Sequence, residues 1–322
     1  MNRPSVDVTV VTYNQEDLIK ETLDSIINQS YENIKRIIVS DDGSKDNTPN
    51  IIEEYAMNDD RIVPILAKKN KGIAYNVNRG LKQVNAYYVC AMGGDDLMHK
   101  QKIEKQVEYL TSNTDLVGCA HDMDVFNNDT GVSLGKFSET ISFKKIEGEI
   151  NVESIFDPSI FLCPSSILYK SEIIPENGFD TRLKYLNDFV FNVDILMKGN
   201  LGYIDEVLGT YRVHGNNVTS SEEAKVMGFE DALIAFSIVL SKYPELYKLV
   251  KQRKVATYLD QILKSIKNGN ANESKILSKV MMSDGSYIKG IFAYLLSIVM
   301  NKAVIDKIYG NRKLLKLFLK FI

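Results

Sequence analysis

A chain of 322 residues with 44% hydrophobic and 25% charged content falls in the ordinary globular range, long enough for one large domain and an appendage. The net charge of −3 conceals an uneven distribution: acids collect in the first two thirds and bases at the extreme C-terminus, so nucleic acid is not the expected partner of the main body. Cys90, Cys119 and Cys163 are widely spaced in apolar runs. That excludes a disulfide framework and a CxxC zinc site and predicts buried thiols in a reducing cytosol.

Residues 1–12 lack the basic and apolar pattern of a secretory signal. No apolar stretch reaches the ~18 residues of a membrane span, Gly290–Met300 coming closest. The predicted elements begin with β-branched runs at Val8–Val11, Ile34–Val39, Ile62–Leu66 and Tyr87–Met92, alternating with amphipathic stretches. This is the pattern of βαβ units and a largely parallel sheet. Leu18, Ile19, Thr22, Leu23, Ile26 and Ile27 follow helical spacing and predict one buried helix face. Asn47-Thr48-Pro49 predicts a capped helix start with proline in its first turn. Residues 116–170 carry shorter alternating runs and a turn at Asn127-Asn128-Asp129, predicting a partly antiparallel extension of the sheet. A helix over Asp188–Lys198, a strand over Leu201–Val207 and a further strand ending at Val213 follow. Beyond Thr219 the chain reads as helical, so the domains are predicted as 1–219 and 220–322.

Ligands of an open parallel sheet bind at the carboxyl ends of its strands. Here those ends read Thr12-Tyr13-Asn14, Asp41-Asp42-Gly43-Ser44 and Gly93-Gly94-Asp95-Asp96. A ring to stack a base, carboxylates to accept hydrogen bonds and to hold a hard divalent cation, and glycines that admit backbone closely together suit a nucleoside diphosphate. Asp41 to Asp46 also reads as a plain turn and helix cap.

In this order and spacing the motifs resemble glycosyltransferase family 2, over roughly residues 5–215. The segments Val8 to Asn14, Ser40 to Asp46, Asn70-Lys71-Gly72 and Asn78-Arg79-Gly80 are similar to the family's donor-site signatures, and Gly94-Asp95-Asp96 to its metal-binding motif. The resemblance implies an α/β, GT-A-type (Rossmann-like), mostly parallel sheet with flanking helices, followed here by a helical C-terminal region. It implies an inverting, nucleotide-sugar-dependent transferase, most often of UDP-sugars, using Mn²⁺ or Mg²⁺. Thr12, Tyr13, Asn14, Asp42, Asn70, Asn78, Gly94, Asp95 and Arg212 would bind the donor, with Tyr13 flanking the base and Asp42 hydrogen-bonding it. Asp95 and His214 would hold the metal. Asp96 and Asn187 would stand on the acceptor side. Two positions depart from the family: Gly93 stands where an Asp is usual, and Val77 where an Arg is common.

The attacking hydroxyl must lose a proton, so a general base is required. Leu186-Asn187-Asp188-Phe189 resembles the family's acidic motif and makes Asp188 the candidate base, although a first-turn acid on a helix has its own electrostatic reason to be there. Tyr211 to Asn217 resembles the segment that closes over the donor, where Arg212 or His214 would neutralise the leaving diphosphate; an ordinary polar loop is the alternative. His121, in an alternating strand, reads as a structural histidine.

At the C-terminus Lys302, Lys307, Arg312, Lys313, Lys316 and Lys320 face one acid, Asp306, among Leu314, Leu315, Leu317, Phe318, Phe321 and Ile322. Such a helix binds a membrane surface or a partner, or packs on its own domain. The membrane reading fits a lipid-linked glycan acceptor, surface-polysaccharide assembly in bacteria, and a cytoplasmic protein peripheral to the membrane. A homo-oligomer is compatible with the sequence. The rival classes are a nucleotidyltransferase, against which the loop Tyr13 to Asp17 lacks Gly, Lys and Arg, and a non-catalytic sugar- or lipid-binding assembly module.

Overall fold

The computed structural model describes residues 3–294 apart from 143, 216, 218–221, 285, 287, 288 and 292; the basic C-terminal segment lies outside the described residues. The chain divides into two compact units, 1–224 and 225–322, the division falling a few residues beyond the composition change at Thr219.

The first unit alternates β1 (Val6–Thr12), α1 (Ile19–Ile27), β2 (Ile34–Asp41), α2 (Thr48–Asn58), β3 (Ile62–Leu66), α3 (Ile73–Leu81) and β4 (Tyr88–Gly93). It continues through β5 (Leu97–Met98), α4 (Lys102–Ser112), β6 (Gly118–Asn127), β7 (Val132–Lys136), α5 (Phe137–Thr140), β8 (Glu149–Ile150), α6 (Val152–Phe156), β9 (Leu168–Lys170), α7 (Asn187–Leu196) and β10 (Leu201–Val213). The strands form one sheet in the order β3-β2-β1-β4-β9-β6-β10-β5. β3, β2, β1 and β4 run parallel, as expected of βαβ units. The expected antiparallel extension enters as β9, which pairs antiparallel with both β4 and β6.

Where two strands were expected after α7, β10 is continuous over 13 residues. Register shifts between Ile204 and Val207 and between Val207 and Thr210 bend it instead of breaking it. α7 begins one residue earlier than expected and stops at Leu196.

Apolar alternation decides the layers. Val6, Val8 and Val10 of β1 share a buried cluster with Ile19, Leu23 and Ile26 of α1, Ile51 and Ile52 of α2, and Ile103, Val107 and Leu110 of α4. These three helices therefore cover one face. α3 covers the other, close enough that a Cβ at Gly80 would sit 3.6 Å from Thr9 Cβ. α7 joins α3 there: Phe191 packs against Tyr169 of β9 at 5.8 Å and against Phe179 at 4.6 Å.

Parallel register matters most at the strand ends. Thr12 lies opposite Asp41, and Val11 opposite Gly93, so the three polar segments leave the sheet side by side.

The second unit contains all but the first turn of α8 (Glu222–Lys242), with α9 (Tyr247–Lys267) and α10 (Ala271–Ser283). Tyr258, Leu259, Ile262, Leu263 and Met281 form its core, with Phe229 edge-on to Tyr258 at 5.4 Å. Asn270 caps α10 by accepting from the Glu273 N–H. Among the described residues no helix is long and apolar enough to cross a membrane.

Candidate active site

The loops after β1 and β2 interlock. Asn14 takes a left-handed conformation (φ +51°), and its side-chain oxygen accepts from the Lys45 N–H at 2.8 Å while its own N–H donates to Ser44 Oγ. Asn14 thus braces two loops. Glu16 N–H donates to Asp46, and Asn47 N–H to Glu16. The expected cap on α2 is supplied by Asp46, which accepts from the Thr48 N–H; Asn47 makes no side-chain cap. Asp41 accepts from the N–H groups of Gly43 and Ser44, each at 2.9 Å, and so is the turn-forming acid of the pair. Gly43 (φ +75°) has no alternative, since a Cβ there would stand 2.9 Å from the Lys69 backbone.

Asp42 is buried at the end of β2. One carboxylate oxygen accepts from the N–H groups of Lys71 (3.0 Å) and Gly72 (2.7 Å), and the other from Arg79 Nη2 at 2.9 Å. Asn70 completes this loop by accepting from the Gly72 N–H. A carboxylate holds about four lone-pair sites, so Asp42 keeps room for a ligand donor. Tyr13, 42% exposed, presents its ring at the neighbouring strand end.

Thr12 is buried; its carbonyl accepts from the Asp42 N–H and from Asn76 Nδ2. Its hydroxyl and the Gln15 side-chain oxygen are both buried without a hydrogen-bond partner. Both border Gly94, where a Cβ would stand 2.8 Å from Thr12 Cβ and 2.4 Å from Gln15 Oε1. Only glycine fits there.

Asp95 and His214 meet, with Oδ2 and Nε2 3.1 Å apart and side chains 19% and 9% exposed. Asn217 holds the histidine loop, accepting from the His214 N–H and donating to the Arg212 carbonyl. A carboxylate and an imidazole side by side fit a divalent cation that takes its remaining ligands from phosphate and water. Among the described residues no group of three or more His, Cys, Asp or Glu side chains gathers. The departure at Gly93 has a geometric counterpart: a Cβ there would lie 2.5 Å from Asp95 Oδ1. Asp95's own carboxylate occupies the space of the missing acid.

Three of the expected site residues are held by partners within the fold. Arg212, expected to contact the donor, is 1% exposed and all three guanidinium nitrogens are engaged. Nη1 donates to Glu21 at 2.6 Å, Nη2 to the Leu18 carbonyl and Thr22 Oγ1, and Nε to the Asp95 carbonyl. Arg212 ties α1 to the acidic turn, and burial lowers its pKa. Asp96 was expected on the acceptor side. It is 3% exposed, accepting from Ser165 Oγ and from the Arg212 N–H. Burial and the Asp95 charge raise its pKa to about 7. Asn78 pairs with the backbone of Phe179, donating to its carbonyl at 2.9 Å and accepting from its N–H at 2.7 Å. Replacing Asn78 with Ala should therefore cost about 1–2 kcal/mol by leaving both groups unpaired, read by denaturant unfolding, with nucleotide affinity unchanged. A loss of affinity at wild-type stability would reverse that assignment.

Asp188 and Asn187 open α7. Asp188 is partly buried and accepts from the Phe189 N–H at 2.9 Å. Burial raises its pKa to about 6, with no cationic partner opposing the shift. Asn187 is 4% exposed and its Nδ2 has no hydrogen-bond partner. His121, read as structural, is buried, with Nδ1 2.6 Å from the Asp122 carbonyl and Nε2 without a hydrogen-bond partner, and burial holds its pKa well below the usual value.

Several supporting residues carried no signal in the sequence. Thr22, read as part of an apolar helix face, donates to the Gly94 carbonyl at 2.9 Å. Ser165, from a separate 3₁₀ turn, receives the Gly93 N–H at 3.1 Å. Asn76 accepts from Ser40 Oγ and from Arg79. Only a motif match spanning distant segments would find these.

A parallel half-sheet, an antiparallel insertion and an acidic fourth strand end define the GT-A type of α/β fold. A profile described as Glycosyl transferase family 2 matches residues 7–177. An uncharacterised glycosyltransferase of Haemophilus influenzae is 31% identical over 224 residues, 68% of each chain. A putative teichuronic acid biosynthesis glycosyltransferase, TuaG of Bacillus subtilis, is 28% identical over 225 residues, 68% of this chain and 83% of its own. The crystal structure of S. aureus TarS 1–349 in complex with UDP-GlcNAc superposes with a TM-score of 0.65 at 18% identity, over 95% of this chain and 91% of that one. A longer TarS chain is covered over 54% of its length. This chain belongs to glycosyltransferase family 2.

Proposed function

We propose that the protein is an inverting, metal-dependent transferase that moves a sugar from a UDP-sugar to a hydroxyl of a glycan or lipid-linked acceptor, in bacterial surface-polysaccharide synthesis. The observation that carries this reading is the Asp95–His214 contact at the strand ends that also bear Asp42 and Tyr13. The likeness to TuaG supports the polysaccharide context, and the UDP-GlcNAc complex of TarS supports a uridine donor.

In this mechanism Tyr13 stacks on the base and Asp42 accepts from it. Asp95 and His214 would hold Mn²⁺ or Mg²⁺, which when bound neutralises charge on the departing diphosphate. Asp188 takes the proton of the acceptor hydroxyl. The acceptor oxygen attacks the anomeric carbon from the face opposite the diphosphate, so the sugar's bond to the nucleotide breaks and its configuration inverts. Arg212, Asp96, Ser165 and Thr22 hold the acidic turn in place without touching substrate.

A panel of sugar nucleotides with Mn²⁺, scored by thermal shift and by nucleotide release, tests the reading: a binding donor raises the melting temperature by mass action. No shift and no release across the panel would defeat it. Asp95→Ala should lower donor affinity in Mn²⁺ by at least about tenfold, the size of loss that even second-shell changes bring to metal sites. Unchanged affinity in Mn²⁺ would remove Asp95 from the metal.

A further inference from the structure

Cys90 and Lys102 make a contact that the active site does not use. Cys90 of β4 and Cys119 of β6 both lie opposite Leu168 of β9, and residues opposite one another in an antiparallel pair share a face. The three side chains therefore form a row under α4. Lys102 and Gln106 stand four residues apart on that helix and divide the row between them. Gln106 donates to the carbonyls of Cys119 and Ser166, while Lys102 Nζ donates to Cys90 Sγ at 2.8 Å. Lys102 and Cys90 are both fully buried. A lysine buried to that degree is ordinarily paired with an acid, because an unpaired buried charge is costly. Among the described residues Lys102 has no carboxylate partner, and the thiol is the one side chain that its amine hydrogen-bonds. A separation of 2.8 Å is ordinary for N–H···O but close for the larger sulfur atom, and a single bridging oxygen can span it.

A disulfide is not open to Cys90. Cys119 stands two strand spacings away across β9, roughly 9–10 Å, beyond the Cα separation of about 7 Å at which two cysteines can be joined. The amine is the reactive group within reach. We propose that Cys90 and Lys102 are the two ends of a reversible N–O–S cross-link, formed with dioxygen, that ties β4 to α4 across the acidic turn. Dioxygen is small and apolar, so an apolar, water-free site admits it. In the reaction the lysine amine, as the free base, gives up one N–H hydrogen and the thiol its S–H hydrogen. One oxygen atom bonds to both nitrogen and sulfur, and the other leaves as water with the two hydrogens. Nitrogen and sulfur each lose two electrons, and dioxygen takes up four. Four equivalents of a thiol reductant reverse the step: amine and Cys90 thiol return, the bridging oxygen leaves as water, and the reductant forms two disulfides. The linked residues are 12 positions apart and enclose residues 93–98, so the bridge closes a short covalent loop on the segment that carries Asp95.

Intact-mass measurement of the full chain, purified without oxygen and then held in air-saturated buffer, tests the assignment. Wild type should gain the mass of one oxygen atom less two hydrogens, and a digest made without reductant should yield a linked pair of peptides containing Cys90 and Lys102. Dithiothreitol should restore the starting mass. Cys90→Ser and Lys102→Arg should each abolish the gain, whereas Cys119→Ser should keep it. In the linked form the amides of residues 94–97 should exchange with solvent more slowly by at least about tenfold, a modest share of what closing a short covalent loop contributes. No gain in wild type, a gain of whole oxygen atoms without loss of hydrogen, or a linked pair drawn from other residues would overturn the cross-link. Unchanged exchange in the linked form would overturn its hold on the acidic turn. The wild-type chain carries the test by itself, so a variant that fails to fold does not remove it.

Discussion

Asp188→Asn is expected to lower the turnover of sugar transfer by about 10²–10⁴-fold, the usual contribution of a positioned general base, while leaving donor affinity near wild type. The substitution keeps the shape of the side chain and an oxygen to accept the Phe189 N–H, so the fold should tolerate it. Stability should rise. A carboxyl whose folded pKa is lifted to about 6 from the ordinary 3.8 stabilises most fully below the unfolded value, and that contribution is lost as pH rises through about 6. At neutral pH the ion is held in surroundings that disfavour it, and removing it should return on the order of 1 kcal/mol once solvent access to the partly exposed group is allowed for. Thermal unfolding at pH 7.5 checks this directly.

The same environment sets the pH dependence. The base works only when ionised, so kcat/KM should rise with pH through about 6 and then level off, whereas a freely solvated carboxylate would place the limb near 4. A variant that retains turnover, or a wild-type acid limb near 4, would take the base role from Asp188.

Arg212→Ala should cost about 3–5 kcal/mol, the range for emptying a large buried side-chain volume and stranding its hydrogen-bond partners. The stranded groups are the carbonyls of Leu18 and Asp95; Glu21, 66% exposed, returns to water. Arg212→Lys keeps the charge but not the fork, and should lose less stability while still loosening the acidic turn. Its Mn²⁺-dependent donor affinity should then fall along with its denaturation midpoint. Were Arg212 a diphosphate ligand, Arg212→Lys would keep the wild-type midpoint and lose affinity alone. Urea unfolding and donor titration on one preparation separate the outcomes.

Much of the fold was readable because its signals are local. Val8–Val11 and Ile34–Val39 announce buried strands through β-branched runs, and Leu18 to Ile27 a helix through its spacing. The break expected within 201–213 did not occur, because bulges absorb the irregularity while the ladder to β6 continues. The Asn47 cap failed for a local reason: Pro49 has no N–H to give, and the Asn47 oxygen accepts from the Asn50 side-chain amide instead of the backbone.

The site divides in the same way. Strand-end position brought Tyr13, Asp42 and Asp95 under suspicion, since it follows from the strands themselves, and resemblance to a family segment added His214. Neither could say which way a polar side chain points. Arg212 and His214 are two residues apart on one segment, yet His214 meets Asp95 while Arg212 turns under it toward Glu21, 191 residues away. Asp95 and Asp96 are adjacent, yet one carboxylate meets His214 and the other is sealed against Ser165.

Periodicity, turn chemistry and motif order thus determined the class of fold and the crevice where chemistry belongs, because each depends on neighbours within a few residues. The division of labour among the polar groups, the covering of Gly93 by Asp95 and the raised pKa of Asp188 arise only in the folded chain. They depend on burial and on partners brought together from distant segments, and hydrogen bonding and desolvation act over a few ångströms of space, whatever the separation along the chain.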